Sequence, residues 1–188
     1  APKINGVQYR TVEAYNYGAT DADRQILQQI CDEEGADIFI STYYTTPLST
    51  PSVFMGYDMI PELIGKNLDN EPMWREKHYG IKHASTYITI SENTAYNLAG
   101  CFPHISPSAI TVAHCGVKAN LSPAYSQEIS DFQAKYGISK AYFLLVGDRS
   151  GWCGYKNGIL FFKAFAQLAN KQNFEVVCTG GAPTIEED

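Results

Sequence analysis

The sequence is short of charge, and its five cysteines include no Cys-x-x-Cys pair. Only 18% of the 188 residues are charged, against 45% hydrophobic, so the chain has enough apolar surface for a packed core. An odd number of cysteines at wide spacing, Cys31, Cys101, Cys115, Cys153 and Cys178, reads as free thiols in a reducing compartment. The amino-terminal stretch "APKINGVQYRTVEAYNYGATD" lacks the apolar centre of a signal peptide. No later stretch approaches the roughly 18 uninterrupted apolar residues of a spanning helix, and a soluble, cytoplasmic chain is expected. A net charge of −6 excludes broad nucleic-acid binding and leaves any anion site to a local cluster. His78, His83, His104 and His114 form no i, i+4 pair beside a carboxylate cluster, so no metal centre is expected.

Two phosphate-binding motifs are also missing. Gly147 and Gly151 are separated by three residues and Lys156 is followed by Asn157, which is not a P-loop. Arg149 stands where the dinucleotide fingerprint needs its first glycine, so no nicotinamide or flavin cofactor is expected. Asn120-Leu121-Ser122 has the form of a glycosylation acceptor but reads as an ordinary loop.

The hydrophobic pattern alternates helices with short apolar strands. "DADRQILQQICDEE" puts Ile26, Leu27, Ile30 and Cys31 on one helical face, with Asp21 as N-cap and Gly35 as stop. The strand "ADIFIS", the hydroxyl-rich loop "TYYTTPLSTP" and the strand "SVFMGYDM" follow, and Pro61 suits a first helical turn. A helix over about 70–84 carries Trp74, Ile81 and Ala84 on one face. After the strand "YITIS", Ser91 caps a helix with Ala95, Leu98, Ala99 and Phe102 inward. The strand "AITVAH" precedes a polar stretch over 116–125, the best linker in the chain, and a helix with Tyr125, Ile129, Phe132 and Tyr136 in register. The remainder is a β-α-β unit: "AYFLLVG", a loop, "KNGILFFKAFAQLANK" and "FEVVCTGG". Continuous apolar strands alternating with helices predict an α/β fold with parallel sheets covered on both faces.

The loop of that unit, within "LLVGDRSGWCGYKNG", follows a strand end, the place where doubly wound folds bind ligands. Gly147, Gly151 and Gly154 let backbone approach an anion, Arg149 can grip a phosphate with two donors, and Lys156 adds a point charge near the next helix. The chemistry fits a diphosphate; a solvated turn with two surface cations fits the same residues equally well.

Taken together, "YITISENTAYNLAGCFP", "AITVAHCGVKANLSP" and "YFLLVGDRSGWCGYKNGILFFKAF" resemble the central part of a family-4 (group 1) glycosyltransferase of the GT-B fold. Arg149 and Lys156 match the family's arginine and lysine that contact the donor diphosphate, and these two would be the catalytic groups. Ser91 to Thr94 and Gly116-Val117 match other family positions, and "STYYTTPLSTPSVFMGYDMIPE" is similar to a bacterial branch that builds polysaccharides and glycans. The resemblance implies parts of two Rossmann-like parallel-sheet domains: 1–115 as the later part of the acceptor-side domain, 116–138 as linker and helix, and 139–188 as the start of the nucleotide-sugar domain. The family's first strand would lie before Ala1 and its Glu-x7-Glu region after Asp188, so little catalysis is expected of these residues alone.

The implied function is a retaining glycosyltransferase moving sugar from a nucleotide diphosphate sugar, its donor substrate, to a glycan, a lipid-linked or another hydroxyl acceptor, with no cofactor. Such a protein would be cytoplasmic or peripheral at the inner face of the membrane. Where the family commonly has His-Asp, this chain has Tyr57-Asp58, on the cleft or acceptor side; these two residues also read as packing and as a loop cap. Tyr43 and Tyr44 can stack on a sugar or pack internally. A non-catalytic α/β module that binds a phosphorylated small molecule or a partner protein is the alternative. Self-association through open sheet edges is expected in either case.

Overall fold

The computed structural model describes residues 4–65, 68–118, 121–147 and 156–181. The chain divides into two compact units, Ala1–Val117 and Lys118–Asp188. The architecture is α/β and GT-B-like, with parts of two Rossmann-like parallel-sheet domains.

In the first unit, helix α1 (Thr20–Glu34) leads into strands β1 (Phe39–Ile40) and β2 (Ser52–Gly56). Helices α2 (Ile60–Leu63) and α3 (Pro72–His83), strand β3 (Thr86–Thr89), helix α4 (Glu92–Cys101) and strand β4 (Ile110–Val112) follow. The strands form one parallel sheet in the order β1-β2-β3-β4, with Val53 paired to Thr86 and Tyr87 to Ile110. Every connection between neighbours therefore crosses over, and the carboxyl ends of the strands share one edge.

The core is where the helical and strand periodicities meet. Phe54 and Tyr87 project from β2 and β3, Ile81 from α3 and Leu98 from α4, joined by Tyr44, Met59 and Ile105. Each such side chain contributes about 1.5–3 kcal/mol on burial. The Tyr44 and Phe54 rings stack at 6.4 Å, and the buried Tyr87 hydroxyl donates to the Ile81 carbonyl at 2.9 Å, so the one polar atom of that ring is satisfied. Trp74, Ala84 and Phe102 pack against this cluster, as the helical patterns predict.

Local signals account for most element ends. Gly35 closes α1, and the Ser91 hydroxyl accepts the Thr94 N–H at 3.1 Å to cap α4. Ser91→Ala is expected to cost about 1 kcal/mol, read as a shift in the denaturation midpoint at constant slope. Asp21 is not the cap of α1: the helix begins one residue earlier, behind Ala19. Asp21 lies in the first turn and pairs with Arg24 at 2.8 Å, while the Asp23 carboxylate accepts the Asn16 N–H. β1 is two residues long rather than the six of "ADIFIS", because it is an edge strand with one partner.

The second unit consists of helix α5 (Ser126–Tyr136), strand β5 (Ala141–Val146), helix α6 (Gly158–Gln167) and strand β6 (Phe174–Thr179). β5 and β6 are parallel and in register from Ala141↔Phe174 to Val146↔Thr179. Phe143 is ringed by Phe161, Phe165 and Phe174 at 5.4–6.2 Å, which fastens α6 to the sheet. At the other end Glu175 accepts from the Ser139 N–H and hydroxyl, and the hydroxyl bond above all holds its carboxyl below the usual range. The apolar residues in register along α5 are exposed, from Ile129 at 46% to Tyr125 at 78%.

Candidate functional site

At the carboxyl ends of β5 and β6, two glycine turns and one lysine come together. The Gly147 N–H donates to the Thr179 carbonyl at 2.8 Å, extending the ladder one residue past Val146. Gly147 then turns with φ 119°, while Gly180 turns with φ 79°. The two backbones approach so closely that a Cβ on Gly180 would meet Gly147 Cα at 3.3 Å. Lys156 Nζ lies 2.6 Å from where a Gly147 side chain would begin, so its ammonium occupies the space that the missing side chain leaves open. Asn157, with φ 47°, forms the N-cap of α6, so Lys156 immediately precedes it.

A bare backbone turn beneath an exposed ammonium, beside a helix amino terminus, is an arrangement that accepts anionic oxygens. Of the four residues expected to hold a diphosphate, Gly147 and Lys156 are thus brought together, while Arg149 and Gly151 lie outside the described residues, as do Gly154 and Cys153. Gly180 was missed. Its signal was the Gly-Gly that ends "FEVVCTGG", the counterpart of Gly147 one strand over.

The first unit places Tyr57 and Asp58 at the carboxyl end of β2. The Tyr57 hydroxyl donates to the Thr42 carbonyl at 2.7 Å, and the Thr94 hydroxyl donates to the Tyr57 carbonyl at 3.3 Å. Asp58 Oδ1 accepts the Ile60 N–H at 3.1 Å. Behind them lies a buried ion pair that no local pattern of residues announces. Lys77, fully buried on α3, donates to the Asp58 carbonyl and to Glu62 Oε2, both at 2.9 Å. Glu62 Oε1 is 3.0 Å from His78 Nε2. The rings of Tyr44 and Trp74 stand 5.5 and 5.6 Å from the same ammonium. Taking a lysine out of water costs several kcal/mol, so this cluster is compensated on every side.

The other histidines serve local structure: His83 Nε2 is 3.0 Å from the Thr50 carbonyl, His114 Nδ1 is 3.1 Å from the Ile90 carbonyl, and the ring of His104 meets Phe102 edge-on. Among the described residues no group of three or more His, Cys, Asp or Glu side chains is placed to hold a metal, and no helix is long and apolar enough to cross a membrane. Burial above all pushes the Cys101 thiol up, away from the thiolate that a nucleophile needs.

No protein-family model matches the sequence, and no curated protein matches it. Among solved structures, MnaA of S. aureus in complex with UDP is similar over 92% of this chain, with a TM-score of 0.51 and 14% sequence identity. The likeness is one of fold. The chain spans about half, 48%, of the length of that protein.

Proposed function

We propose that this chain is part of a retaining glycosyltransferase that moves a sugar from a nucleotide diphosphate sugar to a hydroxyl acceptor, in polysaccharide or glycan synthesis. The observation that carries the reading is the Lys156 ammonium seated on the open face of Gly147 at the carboxyl end of a parallel strand. The family-4 resemblance gives the same loop the same task, and the fold is one on which another protein is seen with UDP.

In this reading Gly147, Arg149, Gly151 and Lys156 hold the donor diphosphate. Arg149 and Lys156 catalyse by stabilising the negative charge that grows on it as the sugar departs. Tyr57 and Asp58 stand on the acceptor side. The donor sugar and a glycan, lipid-linked or other hydroxyl acceptor are the substrates, and no further cofactor is required.

Titration calorimetry with UDP tests the site. A charge-assisted hydrogen bond contributes about 1.5–3 kcal/mol, so Arg149→Ala and Lys156→Ala are each expected to weaken UDP by about 10- to 150-fold. Affinity unchanged in both variants would overturn the assignment. UDP binding by a protein that transfers no sugar in its full natural length would favour the binding-module alternative.

A further inference from the structure

We propose that the loops after β1 and β2 form a saccharide platform, in which the Tyr43 ring stacks on the apolar face of a pyranose and Asp58 Oδ2 accepts from its hydroxyls. This deepens the reading above by naming the acceptor as a sugar, and it depends on that reading only for the role of acceptor.

Two neighbouring tyrosines are treated in opposite ways. Tyr44 is 5% exposed and belongs to the core, whereas Tyr43 is 47% exposed with its ring 4.2 Å from that of Tyr44. One face of Tyr43 is therefore backed by a fixed aromatic neighbour, and Tyr57 flanks it at 6.4 Å. The ring is not exposed through looseness of the loop. Ser41 Oγ accepts the Tyr43 and Thr45 N–H groups at 3.1 and 3.2 Å, and the Tyr57 hydroxyl holds the Thr42 carbonyl. The Tyr43 hydroxyl points to Met73 Sδ at 3.9 Å. An apolar surface presented on a loop tied at this many points is ordered before a ligand arrives, which lowers the entropic cost of binding.

The second half of the platform is polar. Asp58 Oδ1 is occupied by the Ile60 N–H, and Oδ2 has no protein donor among the described residues. The Asp58 charge reaches the same aromatic cluster: after burial itself, it is the next influence pushing the Tyr44 phenol upward. Lys77 and Thr94 fix the backbone that carries Asp58 and Tyr57, and Asp58 follows directly on Tyr57, whose ring centre is 6.4 Å from that of Tyr43.

An aromatic face next to an acceptor-only carboxylate matches a pyranose, which has one apolar C–H face and a rim of hydroxyl donors. A phosphate or a nucleotide would meet the Asp58 charge with its own. A lipid tail would leave the carboxylate unpaired.

The test is a titration of the whole chain, with isotope-labelled tyrosine rings observed by NMR. The probes are methyl β-D-glucopyranoside, methyl α-D-mannopyranoside and methyl N-acetyl-β-D-glucosaminide, with UDP added separately. At least one glycoside should shift the Tyr43 ring saturably below about 100 mM, a range set by the small contact area. Tyr43→Phe should bind within about 3-fold of wild type, and Tyr43→Ala and Asp58→Asn should each lose about 10-fold or more. Asparagine retains the loop cap, so Asp58→Asn keeps the test valid should Tyr43→Ala fail to fold. No saturable shift with any of the three, or Tyr43→Ala binding like wild type, overturns the platform. Glycoside binding with no UDP affinity would leave the platform standing and remove the transferase reading; the converse would do the reverse.

Discussion

Lys77→Met is expected to lower the stability of the first unit by about 3–5 kcal/mol, a large share of what a domain of this size possesses. The substitution nearly preserves volume, so the loss is not one of packing. Removing the ammonium leaves the Glu62 carboxylate, itself 6% exposed, with His78 Nε2 as its remaining side-chain partner among the described residues, and leaves the Asp58 carbonyl without its donor. Replacing both partners, Lys77→Met with Glu62→Leu, should recover most of the loss, because the pair is costly mainly when it is broken on one side. Trp74 lies against the same ammonium and reports the transition. The chain has two tryptophans, and Trp152→Phe leaves Trp74 as the single fluorescent probe for urea unfolding. A loss below about 1 kcal/mol would mean that water or another group replaces the lysine freely, as at a surface pair.

That cluster also marks where sequence reasoning stops. The elements were legible because their signals are local: the Ser91 cap three residues before Thr94, the Gly35 stop, and the apolar spacing that buries Ile81 and Leu98. Glu76 and Lys77 lie within "PMWREKHYGIKH" and look like the solvated face of α3, yet both are fully buried. Their partners, Arg24 for Glu76 and Glu62 for Lys77, are 52 and 15 residues away, so no window of the sequence contains the reason for their burial. α5 shows the opposite case. Its apolar residues stand in helical register just as those of α4 do, yet they are exposed, and spacing alone cannot tell a face that is covered from one that is not.

The candidate site was legible in part for the same reason. Gly147 and Lys156 were visible because both lie in one loop. Gly180 enters from the next strand, through the parallel register that brings Val146 opposite Thr179. The Tyr57 hydroxyl bond to Thr42 and the Lys77 bond to Asp58 likewise depend on tertiary placement. The sequence offered Tyr57-Asp58 as a cleft-side pair and as a loop cap, but not the partners that hold them.

Gly180→Val is expected to destabilise the second unit by about 3 kcal/mol or more, the combined cost of a strained backbone and of an atom placed against another backbone. A β-branched residue at φ 79° is disfavoured before any contact is considered. Its Cβ would then stand 3.3 Å from Gly147 Cα and 3.4 Å from Gly147 C and N, and Gly147 is itself tied to Thr179. Neither turn can retreat without giving up the end of the β5–β6 ladder. Gly137→Ala separates the two contributions: Gly137 turns with φ 68° at the end of α5, with nothing within 4 Å of its missing Cβ, so it carries strain alone, about 1 kcal/mol. Gly180→Ala should therefore cost measurably more than Gly137→Ala when urea unfolding is followed by hydrogen exchange at the β5 and β6 amides. If Gly147 is the floor of a diphosphate site, Gly180→Ala should also weaken UDP, while Gly137→Ala should not. Equal costs for the two alanines would mean that the glycine turns part without resistance, and that Gly180 does not hold Gly147 in place.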